Sequence, residues 1–393
     1  MGDYAIPELS GHTPLQEASI PNMDEVAKQG VNGLAYTLFE DFPKGSDIAN
    51  MTILGYDPKL FYPGGRGPIE AAAKGIGMEK GELIFRCNLV TIEDGRILDY
   101  SAEHIPTPQA EKLITYLQEK LGTEKLNFYP GVSYRNILRY MPPIPLKPGD
   151  IITFPPHDHL NEKIEKLKIK ATLPKAEDVA NFLNQLTLKS QTLLEKHEVN
   201  KRRERKGLKP ANSIWLWGQG IAPILPSFKK RYGLSGSMIC AVDLLKGIGK
   251  LLGLKVPVVK GATGYIDTDY KAKAKAAIKA LEEVDFIYLH VEAPDEASHE
   301  GNLEAKIKAI ENFDEKIVGF ILDNLEEQHA IALLPGHATP ISVRTHTRDP
   351  VPLALFHPNV LKDGVREYNE IAAKKGGLKI ISALKIMKLL LKK

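Results

Sequence analysis

The sequence predicts an α/β protein in which a mostly parallel sheet flanked by helices is interrupted by an inserted α+β unit. Two observations carry this expectation. From residue 213 onward, short apolar runs alternate with helical patterns, the order that builds parallel sheets. Between residues 79 and 205 the texture changes to β-like runs, helices and a proline-rich stretch. The expected domains are therefore residues 1–78 with 206–393, one discontinuous domain, and residues 79–205, set into it.

The elements follow from local signals. Thr13-Pro14-Leu15-Gln16 offers a helix N-cap, a proline at the first helical position and a capping-box glutamine. In the middle of the chain, residues 83–90 read as a strand, and residues 108–121 and 176–197 as helices. Residues 140–156 are rich in proline, and the basic run at 201–207 reads as a solvated linker. Strands are then expected at 213–217 and 237–241, and helices at 243–252 and 270–283. A strand at 285–291 leads into a long amphipathic helix over 303–327, with Ile307, Ile310, Phe313, Ile317, Phe320 and Ile321 close to a 3.6 period. Strands at 330–334 and 352–356 precede a terminal amphipathic helix over 378–391.

Composition excludes several classes of function. The 52 basic and 49 acidic residues nearly cancel to +3, so charge gives no reason to expect a nucleic-acid partner or a membrane surface. No apolar run approaches the roughly 18 residues of a membrane span. Two cysteines, Cys87 and Cys240, are too few for a disulfide framework or a thiolate metal site, and a cytoplasmic setting is expected.

Chemistry-bearing residues cluster just after expected strands, where open α/β sheets place their sites. Strand 285–291 delivers Asp295, and His299 lies one helical turn later, an arrangement suited to a divalent metal. His337 directly follows strand 330–334, and His346 precedes strand 352–356. Each histidine alone also reads as a satisfied surface or core residue; three together point to a metal site. Lys44-Gly45-Ser46-Asp47 opens a helix with a hydroxyl beside free N–H groups, which suits a phosphate. Ser46 reads either as a plain N-cap or, beside a metal, as a nucleophile.

Long blocks of the chain resemble the archaeal-type cofactor-independent phosphoglycerate mutases of the alkaline phosphatase superfamily. These blocks include Gly45-Ser46-Asp47-Ile48-Ala49-Asn50, Gly65-Arg66-Gly67-Pro68, Phe85-Arg86-Cys87-Asn88-Leu89-Val90, Tyr129-Pro130-Gly131-Val132-Ser133-Tyr134-Arg135, residues 292–299 and Arg344-Thr345-His346-Thr347. The resemblance implies interconversion of 2- and 3-phosphoglycerate through a phosphoserine on Ser46, with two divalent ions (Mn, Zn or Mg) and no 2,3-bisphosphoglycerate. It implies that Asp295, His299 and His346 hold one ion, that Ser46 and His337 contribute to the other, and that Arg66, Arg135 and Lys246 bind substrate. The inserted unit would cover the site and keep water from the phosphoserine. Two other readings of the same resemblance are a related phosphotransferase, such as a homoserine-kinase-like enzyme, and a non-catalytic descendant.

The sequence departs from the family twice, and both departures fall on the second ion. The family's first strand ends in Asp-Gly-Met, and Met1 aligns with that methionine, so the resemblance implies an aspartate ligand two residues before Met1 and a chain about ten residues longer, the length of its strand. Without that strand its neighbours are expected to border an open slot. Gly336 stands where the family has a second aspartate.

Overall fold

A computed structural model of the chain describes residues 1–325 and 329–391. They form two compact units, Met1–Phe61 with Leu225–Lys393, and Tyr62–Ile224. Among the described residues no helix is long and apolar enough to cross a membrane.

The chain opens with α1 (Pro14–Glu17), capped as its sequence predicts: Gln16 N donates to the Thr13 hydroxyl at 3.3 Å, and Thr13 N to Gln16 Oε1 at 3.1 Å. Next come α2 (Pro21–Gln29), a strand β1 (Val31–Tyr36) that has no clear sequence signal, α3 (Ser46–Ile53) and α4 (Pro58–Phe61).

The second unit begins with α5 (Arg66–Ala73), β2 (Leu83–Glu93), β3 (Arg96–Asp99), α6 (Thr107–Leu121), β4 (Leu126–Val132) and β5 (Arg135–Tyr140). Two short strands, β6 (Ile151–Ile152) and β7 (Lys170–Ala171), precede α7 (Glu177–Glu195), α8 (Glu198–Arg205) and β8 (Ser213–Ile221). β2 is the centre of an antiparallel sheet, paired with β3, β5 and β8. Its alternate residues Leu83, Phe85, Cys87 and Leu89 enter the core beneath α6 and α7, while Ile84 packs on the other face against Ala71 of α5. Because α5 packs on this sheet and β8 belongs to it, the unit runs from residue 62 to 224, wider at both ends than the expected 79–205. The expected linker at 201–207 is largely helical as well. Arg202 pairs outward with Glu198, while the buried Arg203 donates to Ala102 O at 2.7 Å and Lys209 O at 2.9 Å. A basic run is not wholly solvated when one of its guanidiniums finds carbonyl partners inside.

The chain re-enters the first unit with α9 (Phe228–Tyr232), β9 (Gly236–Ile239), α10 (Asp243–Leu251), α11 (Tyr270–Leu281), β10 (Phe286–Leu289) and α12 (Ala293–Glu300). The helix expected over 303–327 is broken into α13 (Leu303–Phe313), a π-helical turn (Asp314–Gly319) and α14 (Phe320–Asn324); the last two expected residues lie outside those described. The wide turn lets the Asp314 carboxylate accept from Met23 N at 2.7 Å, satisfying the start of α2. After β11 (Ile331–Leu333), β12 (Val351–Phe356) and α15 (Glu370–Ala373), the terminal segment is a strand, β13 (Lys379–Ser382), before the short α16 (Ile386–Leu390). It is not one helix, because the open edge of β1 takes residues 379–382 as a parallel partner.

Nor is the sheet mostly parallel. One four-stranded sheet runs in the order β11-β12-β1-β13, with β12 antiparallel to both of its neighbours; a separate pair, β10-β9, is parallel. The segment from β11 to β12 holds no helix, so the chain returns antiparallel instead of crossing over. Between β10 and β11 lies a cavity of about 850 Å³.

Near the chain start, the Asp3 carboxylate meets Lys306 Nζ at 2.7 Å, with side chains 1% and 0% exposed, and also accepts from Ile341 N. Burial lowers the Lys306 pKa, and Asp3 acts against that shift. Replacing Asp3 alone strands an ammonium in the core, so Asp3→Ala is expected to cost about 3–5 kcal/mol in urea unfolding. Asp3→Ala with Lys306→Met should recover most of that loss; equal losses in the single and double variants would refute the pairing.

Candidate active site

Ser46 is the first residue of α3, with Gly45 as its N-cap and no side-chain capping bond. The plain N-cap reading therefore fails. Its Oγ lies instead 3.0 Å from His337 Nε2, just beyond β11. The Thr339 hydroxyl donates to Asp295 Oδ1, so it accepts from His337 Nδ1 at 3.1 Å. That fixes the tautomer and leaves Nε2 to accept the Ser46 proton. Burial pulls the His337 pKa down to about 3 although Asp295 opposes it, so the ring is neutral at pH 7. A continuous relay thus joins Ser46, His337, Thr339 and Asp295.

Asp295 sits in the first turn of α12 and His299 one turn on, as the spacing predicts. Asp295 Oδ2 is 3.3 Å from His299 Nε2 and 3.5 Å from His346 Nε2. The outer nitrogens are held by backbone carbonyls, His299 Nδ1 by Arg344 O at 2.9 Å and His346 Nδ1 by Lys44 O at 3.1 Å. Both Nε2 atoms therefore converge, 3.1 Å apart, beside one carboxylate. Two imidazole lone pairs facing each other repel until a proton or a cation comes between them, so this donor set fits a divalent ion. Burial opposes the ionised Asp295, but hydrogen bonds from His299 and His346 hold its carboxyl well below the usual range. The same pairing raises His299 to about 9. Among the described residues this is the one group of three such ligands within 4.8 Å.

For the second expected ion the described residues bring together fewer donors. Ser46 Oγ and His337 Nε2 are brought together at 3.0 Å, and Asp295 Oδ1 lies 3.9 Å from His337 Nδ1 with the Thr339 hydroxyl bonded to both. Gly336 adds no ligand, although a Cβ placed there would meet only Asn50 Nδ2, at 4.0 Å.

Sequence reasoning missed several participants. Asn50, one turn after Ser46, donates to Ser46 O at 2.7 Å and accepts from the Tyr288 hydroxyl, tying α3 to β10. The i,i+4 spacing from Ser46 to Asn50 was the available signal; for Thr339 there was none. Glu292 also lies by the site: burial, and then Asp295, raise it to about 7, and its Oε2 has no hydrogen-bond partner. Lys246 stands on α10, which packs against α3, and pairs with Asp243 at 3.2 Å.

Arg66 and Arg135 belong to the second unit, at the start of α5 and of β5. Beside them is a third guanidinium, Arg86 of β2, overlooked in the sequence. It stacks 4.1 Å over Trp217 and donates to Glu70 at 3.1 Å. Burial lowers the Arg86 pKa; Glu70 opposes this, and the charges of Arg66 and Arg135 add to it. Arg86 is thus within electrostatic reach of Arg66 and Arg135 and hydrogen-bonded to Glu70, a positive surrounding that favours an anion.

A family model described as 2,3-bisphosphoglycerate-independent phosphoglycerate mutase matches residues 27–200. The chain is 48% identical over 396 residues to a protein of that name from Methanosarcina acetivorans, covering 100% of this chain and 97% of the relative. Among solved structures, a protein from Pyrococcus horikoshii matches with a TM-score of 0.83 at 31% identity, covering 100% of this chain and 94% of the other. A cofactor-independent phosphoglycerate mutase from Thermoplasma acidophilum matches at 0.71 and 28% identity, with 100% and 96% covered.

Proposed function

Because the chain belongs to the 2,3-bisphosphoglycerate-independent phosphoglycerate mutases and so interconverts 2- and 3-phosphoglycerate, we propose how its own residues carry that reaction. Ser46 Oγ attacks phosphorus, the bond from phosphorus to the glycerate oxygen breaks, and the serine proton passes by way of His337 Nε2 to the departing oxygen. The glycerate then returns through its other hydroxyl, reversing each step. Asp295, His299 and His346 would hold a divalent ion, which would supply charge stabilisation to the phosphoryl group. Their two imidazoles and single carboxylate suit Mn or Zn better than Mg. Arg66, Arg135 and Arg86 are the second unit's candidates for holding an anionic group of the substrate, and Lys246 is a candidate of the first unit. The fold reading that goes with this is an alkaline-phosphatase-like catalytic unit, Met1–Phe61 with Leu225–Lys393, and a substrate-binding unit, Tyr62–Ile224.

The observation that carries the reading is the Ser46 hydroxyl, free of any capping role and aimed at a neutral histidine. Incubation with isotopically labelled phosphoglycerate and Mn, followed by acid quench and peptide mass spectrometry, should place phosphate on Ser46. Label on any other residue, or on none during turnover, would overturn it. A second expected result concerns the missing carboxylate. Gly336→Asp has room for its side chain and should raise bound metal from about one to two ions per chain, with a higher kcat, since a carboxylate completes a typical donor set. Unchanged metal content would show that the serine side works without an ion.

A further inference from the structure

Lys306, on α13, is completely buried, yet neither the serine relay nor the metal ligands use it. Its Nζ donates to Asp3 Oδ2 at 2.7 Å and to the carbonyl oxygen of Thr339 at 2.9 Å. Apolar residues of similar volume are often as stable as a buried ion pair, so stability alone gives no reason for the charge. The second bond supplies one. Thr339 is the residue whose hydroxyl donates to Asp295 and accepts from His337 Nδ1.

No regular element holds Thr339 in place. It lies between β11 and β12, where the chain forms no helix or strand beyond a single bridge from Ala338 to Thr347, so its backbone groups find partners one by one. Thr339 N donates to Gly2 O at 3.1 Å, Thr339 O accepts from Lys306, and Ile341 N donates to Asp3 Oδ2 at 3.1 Å. Asp3 is itself anchored: its N–H donates to Glu370 Oε1 at 3.0 Å, and Glu370 Oε2 accepts from the Thr13 hydroxyl at 2.7 Å. Residues 339–341 are therefore gripped by a network that reaches them from α13, from α15 and from residues 2–3.

We propose that Lys306 is a positioning residue for catalysis: held by Asp3, it fixes the carbonyl of Thr339 and, with it, the hydroxyl that keeps His337 protonated on Nδ1.

The inference rests on His337 Nε2 accepting the Ser46 proton. An apolar side chain at position 306 would fill the space but leave the buried Thr339 O without a donor, a cost that a shift of the segment relieves. A shifted hydroxyl cannot serve His337 Nδ1 and Asp295 at once. The ring then takes its proton on either nitrogen, and a ring protonated on Nε2 cannot accept from Ser46.

The test compares the parent with two double variants, Lys306→Met with Asp3→Asn and Lys306→Met with Asp3→Ala. Each removes the donor to Thr339 O without stranding a charge, and the first keeps an acceptor for Ile341 N. With 15N-labelled histidine, the parent should show His337 as a single ring protonated on Nδ1. Both double variants should show a mixture of the two forms. Their kcat for phosphoglycerate should fall about 100-fold with KM within about threefold, the scale of a small displacement that starts away from the chemistry. An ion pair with a merely structural role would move the unfolding midpoint and leave the ring as it was. The parent's tautomer kept in a folded double variant overturns the inference alone. A parent ring protonated on Nε2, or an altered tautomer with kcat unchanged, refutes His337 as the acceptor and the inference with it. If neither variant folds, hydrogen exchange in the parent decides. The amides of Thr339 and Ile341 should then exchange within about tenfold of those of Ala309 and Ile310 on α13, and faster local opening overturns the grip on residues 339–341.

Discussion

Ser46→Ala is expected to reduce kcat for phosphoglycerate interconversion by at least about 10³-fold, the scale seen when a covalent nucleophile is removed. Ser46 does not act as a cap. A serine at a helix start commonly caps it, and its loss would then cost stability. Here Gly45 is the N-cap and the Ser46 hydroxyl lies against His337 Nε2 at 3.0 Å. The variant should therefore unfold within about 0.5 kcal/mol of the parent and retain its metal, as substitutions away from caps and cores do. Activity within tenfold of the parent would rule Ser46 out as the nucleophile.

Asp295→Asn should have a comparable effect by a different route. Asp295 is the single carboxylate facing both His299 Nε2 and His346 Nε2, and its other oxygen accepts from Thr339. Outer partners of metal ligands alone are worth 10- to 100-fold in affinity, so losing the charged ligand should weaken metal binding by more than about 100-fold. The amide oxygen of the variant can still accept from the Thr339 hydroxyl and so keep the tautomer of His337, and excess metal should therefore restore kcat along with occupancy. Bound metal near one ion per chain in Asp295→Asn would exclude this carboxylate as a ligand.

Strands made of apolar runs were legible in the sequence: residues 285–291, 330–334 and 352–356 mark β10, β11 and β12 to within a residue or two. β1 and β13 were not, because their pairing is tertiary. Gly33 breaks the alternation of β1, and a Cβ there would lie 2.6 Å from Lys379 O, so the glycine serves the close approach of β13 and not a local preference. The same limit explains the site. Asp295 and His299 announce themselves by their i,i+4 spacing, but the histidine that completes their triad and the threonine that orients His337 arrive from 47 and 44 residues away. Among the arginines, Arg86 sits in a strand whose burial pattern marks it as core, which hid a charge held by stacking on Trp217.

The placement of β1 between β12 and β13 bears on how the protein is made. Val31 pairs with Leu355, and Gly33 with Lys379, so this sheet waits for nearly the whole chain to be synthesised. At bacterial or eukaryotic elongation rates of about 5–20 residues per second, β1 waits roughly 15 to 70 seconds for its neighbours. The unit Tyr62–Ile224 is contiguous in sequence and is completed during that interval. On the ribosome the nascent chain thus passes through a stage with a finished middle and an unpaired apolar leader, the stage at which chaperone binding or misassociation is decided.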